Sequence, residues 1–462
     1  MLPRVARAEP SDSPKFTMRK PSLLVVFLTV FVDLVGFGIV LPLLPKYVKD
    51  FGAPGWMLGA IVASYSLMQF IFAPAWGRLS DRIGRRPVLL VSTAGFVFSY
   101  ALFAIGSGMA NPTAALTAIL ASRILSGVCG ANLTVAQAYI ADLTPPQDRS
   151  KKMGLIGMAF GLGFICGPVL AVGAILWLGL SGPGWVASAV CLVNFVLAWF
   201  FLGESRPPGA VQVAREGGRF DHWRDVLSRP GVGLLIVVFF LATMGFTCFE
   251  TTLGLLIAEN FHFTRGSADA EIAIAFLFAF CGFVGAFVQG GPVGRLVRNM
   301  GEARLIAISL VLVAISLAPL PFLTGTPHAS LMSLWRDPSG ARLRFVGALF
   351  TVGGTDWILL LVALSVLSIG SGLTRPPLFG LISILTPADE QGFTLGVAQG
   401  AGSLARIAGP LFASATYAWH ASLPYSTCAA LTLIAAFLTW SRIPKRAIPA
   451  SAMSGAGSVS NG

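Results

Sequence analysis

The sequence predicts an all-α polytopic membrane protein of twelve transmembrane helices in two six-helix, pseudo-symmetric bundles. Three observations predict it. Of the 462 residues 55% are hydrophobic and only 11% charged, with a mean hydropathy of +0.78; a soluble chain of this length carries about twice that charge. Apolar runs of about 20 residues, the length that crosses a hydrocarbon core, recur along the chain. Short motifs of the first half return in the second at fixed offsets.

In chain order, a polar, basic tail at 1–20 leads into spans expected at 21–47, 56–77, 87–108, 113–141, 151–177 and 184–203. The first apolar run has no small-residue cleavage site, so it reads as a retained helix rather than a signal peptide. A polar central loop at 204–230 follows, in which Phe220, Trp223 and Leu227 share one face of a possible interfacial helix; a solvated linker is the alternative. Six further spans are expected at 231–258, 270–294, 303–324, 357–384, 391–417 and 420–441, then a tail at 442–462. The bundles are thus 21–203 and 231–441.

The basic residues give this chain a direction. Twenty-three of the 32 lie in the tails and in loops after even-numbered spans, including Arg78, Arg82, Arg85, Arg86, Arg149, Lys151, Lys152, Arg442, Lys445 and Arg446. Only six (Lys46, Lys49, Arg265, Arg336, Arg342 and Arg344) lie on the opposite side. The bias places both termini in the cytoplasm.

The repeat is specific. Gly77, Arg78, Leu79 and Gly84 return as Gly294, Arg295, Leu296 and Gly301, each 217 residues later. Leu143, Thr144, Pro145, Gly154, Gly167 and Pro168 return as Leu385, Thr386, Pro387, Gly396, Gly409 and Pro410, each 242 later. The 25 extra residues fall in the long external loop at 325–356. Closure entropy grows slowly with loop length, so deleting much of 328–352 is expected to leave an inserted, transporting protein. Parallel six-helix repeats are one of the transporter architectures.

Several function classes drop out. The net charge of +12 follows membrane topology rather than one helix face, which excludes nucleic acid as a partner. The six cysteines lie in apolar runs without disulfide or zinc spacing, and the four histidines form no constellation, so neither metal nor cofactor is expected. There is no glycine-rich phosphate loop with its lysine and Ser/Thr, so ATP is not the direct driver. No nucleophile–base pair lies in the spans, which speaks against an enzyme.

Four ordered motifs carry a resemblance that covers nearly the whole chain outside 325–356. Gly77–Leu90 (GRLSDRIGRRPVLL) lies between spans 2 and 3, and Asp33–Pro45 (DLVGFGIVLPLLP) in span 1. Arg123, Gly127 and Gly130 lie in span 4, and Gly163, Gly167 and Pro168 in span 5. The chain resembles the major facilitator superfamily, and within it the drug/proton antiporters of the tetracycline-exporter-like group. The resemblance implies an alternating-access transporter of the bacterial inner membrane. Its partners would be a small-molecule substrate, protons and the lipid bilayer, and it is expected to be monomeric.

What the residues do is read beside that resemblance. Gly77, Asp81, Arg82, Gly84, Arg85 and Arg86 are expected to form a conformational latch, with Asp81 near a helix N-terminus or paired with arginines; topology determination alone is the bland alternative. Gly163 and Gly167 lie four apart on one face and let a neighbour approach, Pro168 permits a bend, and Gly409 and Pro410 repeat the pattern. Charge at the bilayer centre costs about 2.5–3.5 kcal/mol or more, which makes Asp33 the expected proton-coupling group and Arg123 its expected partner. Glu250 is a second candidate carboxylate, nearer the outer end. Arg375 is expected to face the cavity, while Arg406 is read as snorkelling or packing. Tyr65, Gln69, Asn132, Gln137 and Gln289 are expected to line the cavity, with interhelical hydrogen bonds as the alternative.

The departures bear on substrate. Ser99, Gly285 and Val313 stand where tetracycline exporters carry an acid, a histidine and an acid, so a tetracycline–metal chelate is not expected. The expected activity is proton-coupled efflux of a drug-like or amphipathic molecule. The alternatives are a transporter of a metabolite, anionic if the buried arginines bind it, and a non-transporting receptor or sensor.

Overall fold

The computed structural model describes residues 21–40, 43–130, 132–206, 219–264, 267–328, 330–336 and 342–443. The tails expected at 1–20 and beyond 443, and 207–218 of the central loop, lie outside them. Among the described residues the regular structure is helical, with no strand.

The first half runs α1 (Leu23–Val40), α2 (Leu44–Asp50), α3 (Gly55–Ile83), α4 (Arg85–Ser107), α5 (Pro112–Cys129), α6 (Asn132–Leu143), α7 (Pro146–Leu178) and α8 (Gly182–Phe201). A connector helix, α9 (Arg219–Ser228), precedes α10 (Val232–Asn260), α11 (Ala268–Gly290), α12 (Val293–Met300) and α13 (Glu302–Leu317). The chain ends in α14 (Leu331–Arg336), α15 (Arg342–Thr351), α16 (Gly354–Leu385), α17 (Gln391–Tyr417) and α18 (Leu423–Arg442).

Helix boundaries follow local chemistry. Asn111 caps α5 by accepting from the Ala114 N–H, and Ser267 caps α11 by accepting from the Ala270 N–H. Proline opens α5, α7, α8 and α18, where its missing donor costs nothing. Gly84, at φ +100°, and Gly301, at φ +80°, turn the chain between α3 and α4 and between α12 and α13, the two copies of one repeat motif. Span 4 is described as α5 up to Cys129 and α6 from Asn132, with residue 131 outside the described residues. Pro168 and Pro410 lie inside α7 and α17, which run on past them.

Among the described residues eleven spans are long and apolar enough to cross a membrane, α1 with α2 and α5 with α6 each counting as one. α17, the expected eleventh span, has the length at 27 residues but is diluted by glycines, Gln399, Ser403 and Arg406. It is the helix that packs most extensively across the two halves, against α3. The outer wall is apolar, as at Trp177, Phe287 and Trp419, and suits lipid tails.

Both ends of the described chain lie at one end of the bundle, called here the entry end. There, Val26, Leu202, Leu235 and Ile443 belong to one buried cluster that unites the halves, with Val135 and Met153 beside Leu378 and Val397. At the far end each half keeps its own core, around Ile39, Phe103 and Ile119 in the first and Leu256, Leu317 and Leu360 in the second. The halves are joined at the entry end and separately packed at the far end.

Two expectations need correction. The segment at 325–356 is not a free loop. Leu331 and Val352 are buried in the second half's core, Phe350 packs edge-on against Phe276 at 5.1 Å, and Asp269 accepts from the Met332 N–H at 2.6 Å. The 220–227 stretch is helical, but Val226 rather than Leu227 is its buried residue, and Trp223 packs on Phe70 of α3 at 5.4 Å. The side chain of Phe220 lies outside the described residues.

Candidate transport site and its seams

At the entry end α3 and α17 meet so closely that a Cβ on Gly77 would collide with the carbonyl of Gly392. Just beyond that contact, Asp81 accepts from the backbone N–H groups of Gly392 (2.9 Å) and Phe393 (2.8 Å) in the first turn of α17. A carboxylate there meets free N–H donors and the positive end of the helix dipole. Arg85 donates Nη1 to Asp81 at 2.5 Å and Nε to Asp142 at 3.0 Å. Glu204 accepts from the backbone N–H of Arg85 (2.8 Å) and Arg86 (3.0 Å), its carboxylate filling the space beside Gly84. Arg82 is exposed, and Arg86 donates to the carbonyl of Trp199. The motif residues thus assemble on one seam, with Asp142 and Glu204 as partners that the sequence reading did not single out.

The second seam joins α7 to α11 and α16. Arg149 donates to the carbonyl (2.9 Å) and hydroxyl (3.1 Å) of Ser383, and Ser150 donates to Glu302 at 3.2 Å. Gln289 belongs here. Its side chain is wedged against Gly157, and its carbonyl faces Gly154. The expectation that it lines the cavity is replaced by a packing role, made possible by those glycines. Within each half, Gly163 and Gly167 let α7 sit on Leu34 and Gly38 of α1, and Gly409 lets α17 sit on Met244 and Thr247 of α10.

Asp33 lies in the interior of α1 and is buried. Asn194 of α8 donates Nδ2 to Asp33 Oδ1 at 2.9 Å and to the Thr29 carbonyl at 2.9 Å. Asn132 of α6 donates Nδ2 to Asp33 Oδ2. The expected ion pair with Arg123 is absent among the described residues. Arg123 instead lies over the rings of Tyr100 (5.4 Å) and Phe103 (5.5 Å), and its Nε and Nη2 are buried without a hydrogen-bond partner. Aromatic faces give a desolvated guanidinium an alternative to a carboxylate.

The second half presents the reverse arrangement. The 217-residue offset that relates Gly77 to Gly294 also carries Asp33 onto Glu250. Glu250 lies within electrostatic reach of Arg375 and Arg406. Arg375 faces the Phe246 ring at 6.0 Å. Arg406 donates Nη2 to Gln69 Oε1 (2.8 Å) and to the Ser403 hydroxyl (2.9 Å), so it spans the halves rather than snorkelling. Gln69 in turn donates to the Tyr65 hydroxyl at 3.0 Å, and that hydroxyl feels the charges of Arg406, Arg123 and Asp33. Gln399 donates to Gln137 at 3.1 Å, a second polar tie between the halves. Polar ties thus link Tyr65, Gln69 and Arg406, and separately Gln137 and Gln399, while Asn132 sits on Asp33 and Arg375 lies within reach of Glu250. Ser99 of α4 donates to the Ser122 carbonyl of α5 at 2.7 Å, a neutral packing role. Asn194, Gln399 and Ser403 were missed by the sequence reading, although a lone amide in the run VCLVNFVLAWFF is a visible signal.

Comparison with known proteins bears on the family and the fold. The family described as Major Facilitator Superfamily matches residues 26–336. The chain is 30% identical over 398 residues to the class E tetracycline resistance protein of Escherichia coli, covering 84% of this chain and 86% of the relative. It is 26% identical to Multidrug resistance protein 2 of Bacillus subtilis (strain 168), covering 88% of this chain and 91% of that one. Among solved structures, the human organic anion transporter MFSD10 (TETRAN) superposes with a TM-score of 0.70 at 26% identity, covering 90% of this chain and 98% of that one.

Proposed function

The chain belongs to the Major Facilitator Superfamily, and we propose that it exports an amphipathic small molecule in exchange for protons, by alternating access. The observation that carries this reading is the contrast between the two repeat-related carboxyls. Glu250 has guanidinium groups within reach, whereas Asp33 is buried among neutral amides and a charged carboxylate there is costly. With no cation to hold its charge, Asp33 takes up and gives back a proton as its surroundings change sides. The entry end is the cytoplasmic one, from the bias of basic residues, and the joined seams make this an outward-facing state. The protein works in the bacterial inner membrane, with Gly77–Arg86 as the latch. A second reading, that the cargo is anionic, is favoured by Arg375, which faces Phe246 and, though within electrostatic reach of Glu250, makes no ion pair among the described residues; it also suits a relative named for organic anions.

The test is transport into liposomes driven by an imposed proton gradient, at matched protein levels. Asp33→Asn keeps the shape and removes the titratable group. It should bind cargo yet lose uphill accumulation, while Glu250→Gln should retain a measurable part. Full accumulation by Asp33→Asn would overturn the assignment, and loss confined to Glu250→Gln would move coupling to α10.

A further inference from the structure

We propose that Asn194 and Asn132, not Arg123, are the positioning residues that set how tightly Asp33 holds its proton, an inference that rests on Asp33 being the coupling carboxyl. Both oxygens of Asp33 are occupied, Oδ1 by Asn194 and Oδ2 by Asn132. The orientation of the Asn194 amide is fixed by chemistry. Its two partners, the Thr29 carbonyl and the Asp33 carboxylate, only accept, so its NH2 group must face them. Two N–H donors on a carboxylate stabilise the charged form over the neutral acid.

The other groups around Asp33 cannot replace the amides. α7 offers α1 the bare backbone at Gly163 and Gly167. α3 and α4 bring Tyr65 and Tyr100 within electrostatic range, and α8 brings Cys191. Arg123 of α5, the arginine within span 4, lies over the Tyr100 and Phe103 faces instead.

Asn132 also has the means to register the proton. Its Oδ1 is buried and has no hydrogen-bond partner, while its Nδ2 serves Asp33 and, at 3.4 Å, the Thr93 hydroxyl. When Oδ2 of Asp33 takes a proton, the new O–H donates to Asn132 Oδ1 once the amide turns over. The proton stays on Asp33 and no covalent bond but its O–H is made; the flip gives up the Nδ2 hydrogen bonds to Asp33 Oδ2 and Thr93 and uses the idle acceptor. Asn132 lies in α6, and five residues on Gln137 is tied to Gln399 of the other half. The amide flip therefore acts on the short helix that bridges to the moving partner.

The experiment titrates the full-length protein in lipid without cargo, following the infrared band of the protonated carboxyl that Asp33→Asn removes. Asn194→Leu keeps the branched shape and removes the donor to Asp33 Oδ1, so its midpoint should move to higher pH by about one unit, roughly tenfold in proton affinity. Asn194→Ser, which keeps one donor, should fall between, and it serves if the leucine variant does not fold. Arg123→Gln should stay within about 0.3 unit of wild type on that scale. A midpoint unmoved in both Asn194 variants, or moved by a full unit in Arg123→Gln, would overturn the proposal. Gradient-driven transport by Asp33→Asn is a separate measurement. Its survival would end the coupling reading while leaving the titration to report on the amide clasp.

Discussion

At Asp81 one carboxylate does three jobs. It closes the first turn of α17, neutralises Arg85 and holds the α3–α17 seam. Asp81→Ala removes all three while leaving Arg85 buried, and breaking a buried pair from one side costs about 3–5 kcal/mol. Asp142 still contacts Arg85, so the lower end applies, enough for about a hundredfold shift away from the entry-closed state. A thiol at Ala73→Cys, on the buried face of this seam, should then react with a maleimide far faster than in the parent. Equal labelling rates would show that the glycine contacts alone hold the seam. The motif was legible in the sequence because glycine, acid and arginine crowd one short turn. Its partners were not, because Asp142 and Glu204 stand 57 and 119 residues away from Arg85 and only the fold joins them. The Asp33–Arg123 pairing failed for a related reason. Sequence depth put both mid-membrane but carried no rotational information, and Arg123 turns to aromatic rings instead.

Helices were the most legible level, because a 20-residue apolar run is a strong signal and loops between runs are short. The signal weakened where a helix faces protein rather than lipid. α17 is long, yet its glycines and polar residues serve the centre, so its hydropathy understates its place. It weakened again at 325–356, where length outside the repeat reads as slack although the folded segment buries apolar side chains. Leu331 is fully buried with Leu320, Val352 and Trp357 in the far-end core. Truncating such a leucine typically costs about 2–5 kcal/mol. Leu331→Ala should therefore lower the unfolding midpoint in detergent, and removal of 331–351 should lower it further. A deletion that melts with the parent protein would restore the picture of a dispensable loop.

For the molecule as a whole, the repeat was readable and its asymmetry was not. The 217-residue offset takes Asp81 to Arg298, and the α7 side is held instead by Arg149 on Ser383 and by the single Ser150–Glu302 hydrogen bond. One strong and one weak seam would let the entry end open by hinging at the weaker first. That motion has a direction only if the entry end is cytoplasmic, and sidedness can be measured directly. Ser228, exposed at the end of α9, and Thr113, exposed in the first turn of α5, stand at opposite ends of the bundle. In a cysteine-free background and intact cells, an impermeant maleimide should reach Thr113→Cys and spare Ser228→Cys. Permeabilised cells should label both. Labelling of Ser228→Cys from outside would invert the orientation, and the state closed at the entry end would then face the cytoplasm.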